Sequence, residues 1–192
     1  MSRLTRRELA AVIGAGVLAA RTGGAGAPPQ RSGVVGVAAA VAELGRPLAA
    51  AAARAALDSA VEAAVGLPAA AAARALFRAD DTVGIKLNCL AGRLLSPRLE
   101  LVEALVELVA SAGVGRDRII VFERSGRELQ RAGFTLRERG GAYRCLGVDG
   151  GWDAEPSESG AIGSCFARLV SSECTALVSF GVVKDHDLAG VS

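Results

Sequence analysis

Polar and charged side chains follow three apolar runs in the second half of the sequence, at points where strands are predicted to end. The residues concerned are Lys86, Asn88, Arg124, Ser125, Lys184, Asp185 and His186. In open α/β sheets, ligands bind beyond the carboxyl ends of the parallel strands. We therefore expect these side chains to converge on one ligand site at one edge of a sheet.

Three of these residues are candidates for catalysis. Lys86 lies within a strand that is predicted to be buried on both faces, and a buried lysine suits proton transfer or anion binding. His186 is the only histidine and is flanked by Asp185 and Asp187, so a carboxylate could hold it as a general acid or base. The alternative for Lys86 is an edge-strand lysine exposed to water. The alternative for His186 and its two aspartates is a solvated charged loop without a catalytic role. Lys86, His186 and Asp185 are the predicted catalytic residues.

The other four residues, Asn88, Arg124, Ser125 and Lys184, are predicted to bind a ligand. Lys184 could hold a carboxylate or phosphate as a point charge. Two lysines close together repel each other, so we expect either a bound anion or a carboxylate such as that of Asp185 within a few ångströms of them. The predicted ligand is therefore small and anionic, or carries a bound metal.

Metal ligands are not predicted among the protein's own residues. A histidine between two aspartates could hold a divalent ion, but alternate residues of an extended strand point to opposite faces. The spacing of Cys89, Cys145, Cys165 and Cys174 fits no common zinc or iron–sulfur pattern. We expect the cysteines to be small buried hydrophobic residues, with disulfides in an oxidising compartment as the alternative. The identity of any cofactor stays open from the sequence.

Helical and extended patterns alternate along the elements that must position these residues. Strands are predicted at 34–41, 82–88, 118–123, 142–148 and 175–183, and helices at 47–65, 68–78, 97–112, 126–132 and 164–170. Ser96 is the predicted N-cap of the third helix, and Ser125 with Glu128 forms a predicted capping box for the fourth. Such alternation implies an α/β fold with a mostly parallel sheet and helices on both faces. The last strand comes so close to the end of the chain that we expect an incomplete domain.

The N-terminus has the features of a targeting segment. Arg6 and Arg7 precede an uncharged, Gly/Ala-rich run over 9–20, which resembles a twin-arginine signal. We therefore predict a signal peptide over 1–27, a Gly/Pro/Ser-rich linker over 28–33 and the α/β domain over 34–192. The twin-arginine translocation machinery is then a partner, and the mature protein is extracytoplasmic.

Composition and charge exclude two classes of partner. The formal net charge is +2, and basic and acidic residues are interspersed along the chain. Nucleic-acid binding would require basic residues clustered on one face, and the sequence shows no such cluster. The uncharged run over 9–20 is shorter than the roughly 20 residues that a stable membrane span requires. Neither nucleic acid nor a stable membrane span is therefore predicted.

Four segments together resemble an uncharacterised family, known as domain of unknown function 362. They are the runs at 83–92, 123–125, 162–166 and 183–191, in the order in which that family has them. The resemblance covers the chain from about residue 34 onward. It implies a sequence that continues beyond the lysine, aspartate and histidine segment, and it implies no assigned reaction. Iron–sulfur motifs found in some relatives do not carry over, because this chain has no closely spaced cysteine pair.

Two function classes follow from these observations. The first is an exported enzyme or small-ligand binder that uses the polar residues at the strand ends. The second is an extracytoplasmic, non-catalytic accessory or partner-binding domain in which the same residues only order loops. A cleft at the polar cluster favours the first class, and an exposed apolar patch without a cleft favours the second.

Overall fold

The computed structural model describes residues 20–21, 47–186 and 190–191. Its helices and strands are, in chain order, β1 (Ala20–Arg21), α1 (Ala50–Val65), α2 (Ala69–Leu76), β2 (Val83–Leu87), α3 (Leu99–Ala110), β3 (Ile119–Glu123), α4 (Gly126–Ala132), β4 (Arg144–Gly147), β5 (Ser157–Ser159), β6 (Ile162–Ser164), β7 (Ala176–Phe180), β8 (Asp185–His186) and β9 (Gly190–Val191). The linker and the strand expected at 34–41 lie outside the described residues. So does the predicted signal peptide, apart from the two residues of β1.

The main sheet has the strand order β1-β7-β2-β3-β4. Strands β7, β2, β3 and β4 are mutually parallel, and β1 pairs with β7 in the antiparallel direction. Ile85 at the centre of β2 lies opposite Val121 of β3 and Val178 of β7. This arrangement confirms the predicted α/β fold with a mostly parallel sheet. It also brings the carboxyl ends of β2, β3 and β7 to one edge.

Four helices contribute to the core on one face of the sheet, which we call the helical face. Alternate residues of β2 and β3, including Ile85 and Val121, are fully buried there beneath Leu105 of α3. Helix α1 adds Leu57 and packs against α3, and α4 contributes Leu129 to the same core. The alanines of α1 allow close packing of the helices, while the leucines and valines supply most of the buried apolar area.

The opposite face, which we call the π face, has a thinner cover. Ile120 and Phe122 of β3 lie there, covered by Cys174 and by a π-helical turn at Leu169–Glu173. A Cβ atom at Gly84 would lie only 2.7 Å from the Cys174 Sγ, so glycine in mid-strand allows this sulfur to pack on the sheet. The predicted helix at 164–170 is wrong in its bounds, because β6 continues to Ser164 and the helical turn starts only at Leu169.

Helix ends agree with the sequence at α1 and α4 and differ at α3. Gly66 and Gly133 adopt the left-handed conformation that ends α1 and α4. Ser125 caps α4, accepting a hydrogen bond from the Arg127 N–H. Ser96 does not cap α3, because its hydroxyl donates to the Gly92 carbonyl at 2.7 Å and the helix begins only at Leu99.

Two small hairpins stand apart from the main sheet. Strands β5 and β6 pair in a region where the sequence predicts no strand, and β8 pairs with β9. The hairpin of β8 and β9 begins directly after Lys184, so it lies close to the carboxyl end of β7 along the chain. Among the described residues, no helix by itself has the length and apolar composition needed to cross a membrane. Only α1 and α2 taken together, with a bend between them, reach that length and apolar composition.

Candidate functional site

An ion pair between neighbouring strands marks the carboxyl edge of the sheet. The Lys86 Nζ donates to the Glu123 Oε1 at 2.8 Å, and it also donates to the Leu87 carbonyl. Strand alternation assigns Lys86 to the π face and Glu123 to the helical face, so the two side chains meet across the edge. The lysine side chain is 41% exposed whereas that of the glutamate is 5% exposed.

The carboxylate of Glu123 is the most extensively hydrogen-bonded group of the site. Its Oε1 accepts from the Arg124 N–H at 2.7 Å as well as from Lys86, and its Oε2 accepts from the Cys89 N–H at 2.8 Å. Charge-assisted hydrogen bonds of this kind make a nearly buried carboxylate tolerable. Glu123 therefore joins the ends of β2 and β3.

A second lysine completes the site from the end of β7. The Lys184 Nζ donates to the Asn88 Oδ1 at 2.9 Å, and both residues are half-buried. Asn88 is next to Cys89, whose backbone N–H is held by Glu123. We call Lys86, Asn88, Glu123 and Lys184 the edge cluster. Three of the seven predicted site residues are thus brought together.

Arg124 and Ser125 lie beside the edge cluster but are engaged in the local structure. The Arg124 guanidinium pairs with Glu128, and Ser125 caps α4. The predicted capping box is wrong, because the Glu128 carboxylate turns to Arg124 instead of to the N-cap N–H. Asp149 accepts from the Gly126 N–H at 2.9 Å, so a carboxylate of the chain already lies at the start of α4.

His186 and Asp185 lie in β8, which follows Lys184. Their backbones pair with Gly190 and Val191, and the Asp185 side chain is exposed. The side chain of His186 and residue Asp187 are outside what the structure describes. The predicted acid–base pair therefore stays a prediction, and the carboxylate that partners Lys86 is Glu123.

All four cysteines fall within the described residues and are free thiols. Cys89, Cys145 and Cys174 are buried, as the sequence predicted, and Cys165 is partly exposed. Burial raises the pKa of each of the three buried thiols to about 11. At Cys89 a hydrogen bond with Ser96 opposes this effect, and the nearby Glu123 carboxylate adds to it. These thiols are accordingly protonated near neutral pH, so they are not activated nucleophiles.

The described part of the chain contains no cluster of side chains suited to bind a metal ion. No group of three or more His, Cys, Asp and Glu side chains is placed there so that it could hold an ion.

The distribution of lysine is a sequence signal that points to the edge cluster. The chain has 22 basic residues, and Lys86 and Lys184 are its only lysines, all the others being arginines. Glu123 had a signal too, because it ends the continuous apolar run Ile119–Phe122. A charged residue that closes such a run falls at the end of a buried strand, where a partner from the adjacent strand can reach it.

Comparisons with known proteins identify no family for this fold and site. No protein-family model matches the chain, and the searches of curated proteins and of solved structures found no match.

Proposed function

We propose that this chain binds a small anionic ligand at the edge cluster. The observation that carries the proposal is the environment of Lys184, whose ammonium contacts the neutral Asn88 oxygen and no carboxylate among the described residues. An ammonium group has three donors, so those that do not face Asn88 can reach a carboxylate or phosphate oxygen.

The charges of the edge cluster support an anion as the ligand. Lys86 and Lys184 contribute two positive charges and Glu123 contributes one negative charge, which leaves one positive charge in excess. Glu123 also holds the Lys86 ammonium in place, so its position is established before a ligand arrives. A pre-positioned charge loses less conformational freedom on binding than a mobile one does.

The remaining predicted residues have supporting roles in this proposal. Arg124 and Ser125 border the site. Arg124 could contact the ligand only if it left its ion pair with Glu128, and Ser125 only if it no longer capped α4. An acid–base role for His186 with Asp185 would turn the binding site into an active site.

Export by the twin-arginine pathway and an extracytoplasmic location rest on Arg6 and Arg7, and the resemblance to domain of unknown function 362 rests on the sequence alone.

Selective lysine chemistry tests the proposal, because only two side chains can react. The folded protein is acetylated with an N-hydroxysuccinimide ester in sodium phosphate or in sodium chloride of equal ionic strength, and the modified peptides are quantified by mass spectrometry. We expect phosphate to slow the modification of Lys184 by roughly threefold or more, since a bound anion engages the ammonium.

The N-terminal amine is the internal control, and its labelling should be the same in both salts. Asn88→Ala should weaken the protection of Lys184, because the ammonium then loses the group that orients it. Equal labelling of Lys184 in phosphate and chloride would rule out phosphate-type anions at this edge.

Exposed apolar side chains favour the partner-binding domain as the second candidate function. Leu90 is 70% exposed and Leu94 is 65% exposed, and both lie in the loop that follows β2 and Asn88. Large exposed apolar side chains grouped on a surface are typical of contact sites. This candidate gains weight if Leu90→Gln and Leu94→Gln raise the concentration at which the protein self-associates while phosphate protects neither lysine.

A further inference from the structure

A cleft of about 380 Å³ opens on the π face, over β4 and the loop that follows it. None of the residues that line it belongs to the edge cluster. The strand register separates the two sites, because Lys86 lies opposite Phe122 of β3, and Phe122 lies opposite Leu146 of β4, which lines the cleft. The cleft is within the usual size range of small-molecule sites, roughly 300–1,000 Å³.

The lining of the cleft combines an apolar wall with arginine side chains. Leu146, Val148 and Leu169 supply the apolar part. Arg144 is paired with Glu173, so these two charges offset each other. Arg168 is exposed and makes no ion pair within the described part of the chain. One guanidinium is therefore free to bind an anion beside an apolar surface.

The backbone around the cleft is unusual for a surface loop. The wall opposite β4 is the π-helical turn Leu169–Glu173, a rare conformation that is frequent at functional sites. The Arg168 N–H donates to the Gly151 carbonyl at 2.8 Å, which ties this wall to the loop after β4. This hydrogen bond positions the backbone of Arg168 relative to the loop after β4.

We propose that the cleft binds a small carboxylate that carries an apolar chain, as a second site independent of the edge cluster. The carboxylate accepts hydrogen bonds from the Arg168 guanidinium, whose planar fork matches two carboxylate oxygens. The apolar chain lies on Leu146 and Leu169, because burying it there removes hydrocarbon from water. A carboxylate without an apolar chain has only the guanidinium to bind, and an alcohol of the same length has only the leucines.

Trp152 makes the proposal testable by fluorescence. It is the only tryptophan, it follows the cleft residue Gly151, and its side chain is 43% exposed. Trp152 also pairs with Ala167, the residue before Arg168. The full chain is titrated with sodium hexanoate, and acetate and 1-hexanol are titrated separately. We expect a saturable change in emission with hexanoate at a concentration several times lower than that required with either control.

The variants separate recognition of the carboxylate from non-specific adsorption. Arg168→Ala should weaken hexanoate binding roughly fivefold, with Arg168→Lys in between, because a lysine keeps the charge but loses the fork. Arg139→Ala removes an exposed arginine outside the cleft and should leave the affinity unchanged. Circular dichroism checks that each variant is folded.

Two results would overturn this proposal. One is binding of hexanol as tight as that of hexanoate, and the other is unchanged hexanoate affinity in Arg168→Ala. The phosphate-protection experiment on the edge cluster involves other residues and another ligand. A negative result there would therefore not contradict the proposal for the cleft, and a negative result for the cleft would not contradict the proposal for the edge cluster.

Discussion

The helical face and the π face of the sheet are covered to different depths. On the helical face, Ile85 and Val121 are fully buried beneath Leu105, and four helices contribute side chains to one continuous core. On the π face, Ile120 and Phe122 are covered by Cys174 and by one π-helical turn, whose Leu169 is only partly buried. The two faces therefore share the same strands but differ in how much structure must move to expose them.

This difference divides stability and binding between the two faces. Deep apolar burial supplies most of the free energy of folding, which assigns that role to the helical face. Binding sites tend to occur in segments that open at little cost in free energy. Both proposed sites avoid the helical core, since the edge cluster lies at the strand ends and the cleft lies on the π face.

The largest expected effect comes from removing a leucine on each face. Leu105→Ala should lower the free energy of unfolding by about 3 kcal/mol, because it leaves a cavity in a fully buried core. Leu169→Ala makes the same chemical change in a partly exposed side chain and should cost roughly 1 kcal/mol or less. Urea unfolding of both variants, with matched m-values, measures the difference. Equal losses would mean that the two faces contribute equally and that the comparison is wrong.

The sequence predicted the two central strands of the sheet well because β2 and β3 are largely buried on both faces. The continuous apolar run Ile119–Phe122 and the largely apolar stretch Val83–Leu87 indicated such strands, and the helical patterns between them indicated parallel pairing. The π-helical turn was not predictable in this way, because its bounds depend on the tertiary contacts of Leu169 and Cys174 with the sheet. Helix α3 starts later than predicted for a local reason, because the Ser96 hydroxyl donates to the Gly92 carbonyl instead of capping the helix.

The edge cluster was predictable in position but not in its pairing. The rule for strand ends brought Lys86, Asn88 and Lys184 to one edge, and the structure places them there. That rule says nothing about which carboxylate reaches Lys86. The sequence predicted a bound anion or a carboxylate such as that of Asp185 near the two lysines, whereas Glu123 reaches Lys86 from the neighbouring strand. Pairing between strands depends on register, which a single sequence does not specify.

A smaller effect is expected from neutralising the carboxylate that joins β2 and β3. Glu123→Gln should cost about 2 kcal/mol, because an amide group has one acceptor oxygen and would turn its NH₂ toward a backbone N–H. Lys86→Met should cost less, since that side chain is 41% exposed and water screens its charge. The unfolding free energies of both single variants and of the double variant measure the coupling between them.

Glu107→Gln is the matched control for Glu123→Gln. Glu107 pairs with Arg116 on the surface, and a hydrogen bond from that guanidinium holds the pKa of the carboxyl below its usual value. Both side chains of this pair are exposed, so the substitution should change the unfolding free energy by less than about 0.5 kcal/mol. A loss at Glu123 as small as the loss at Glu107 would show that Glu123 does not join the strands.

The smallest expected effect is a difference in the rate at which buried thiols react in the folded protein. Cys174 packs on the π face, whereas Cys89 and Cys145 belong to the helical core. Burial raises the pKa of all three thiols to about 11, so the fraction of thiolate does not distinguish them. Any difference in rate must then come from how readily the surrounding structure opens.

Displacing the π-helical turn exposes Cys174, while exposing Cys89 or Cys145 requires the helical core to separate. We therefore expect a disulfide reagent to modify Cys174 roughly tenfold faster than either of them at pH 8 without denaturant. Cys165→Ser removes the partly exposed thiol that would otherwise react first. In urea at the unfolding midpoint the three rates should become equal, because global unfolding exposes every thiol at once. If Cys174 already reacts at the rate of the other two without urea, then the π face opens only with the whole molecule, and the thin cover seen in the structure is not a local weakness.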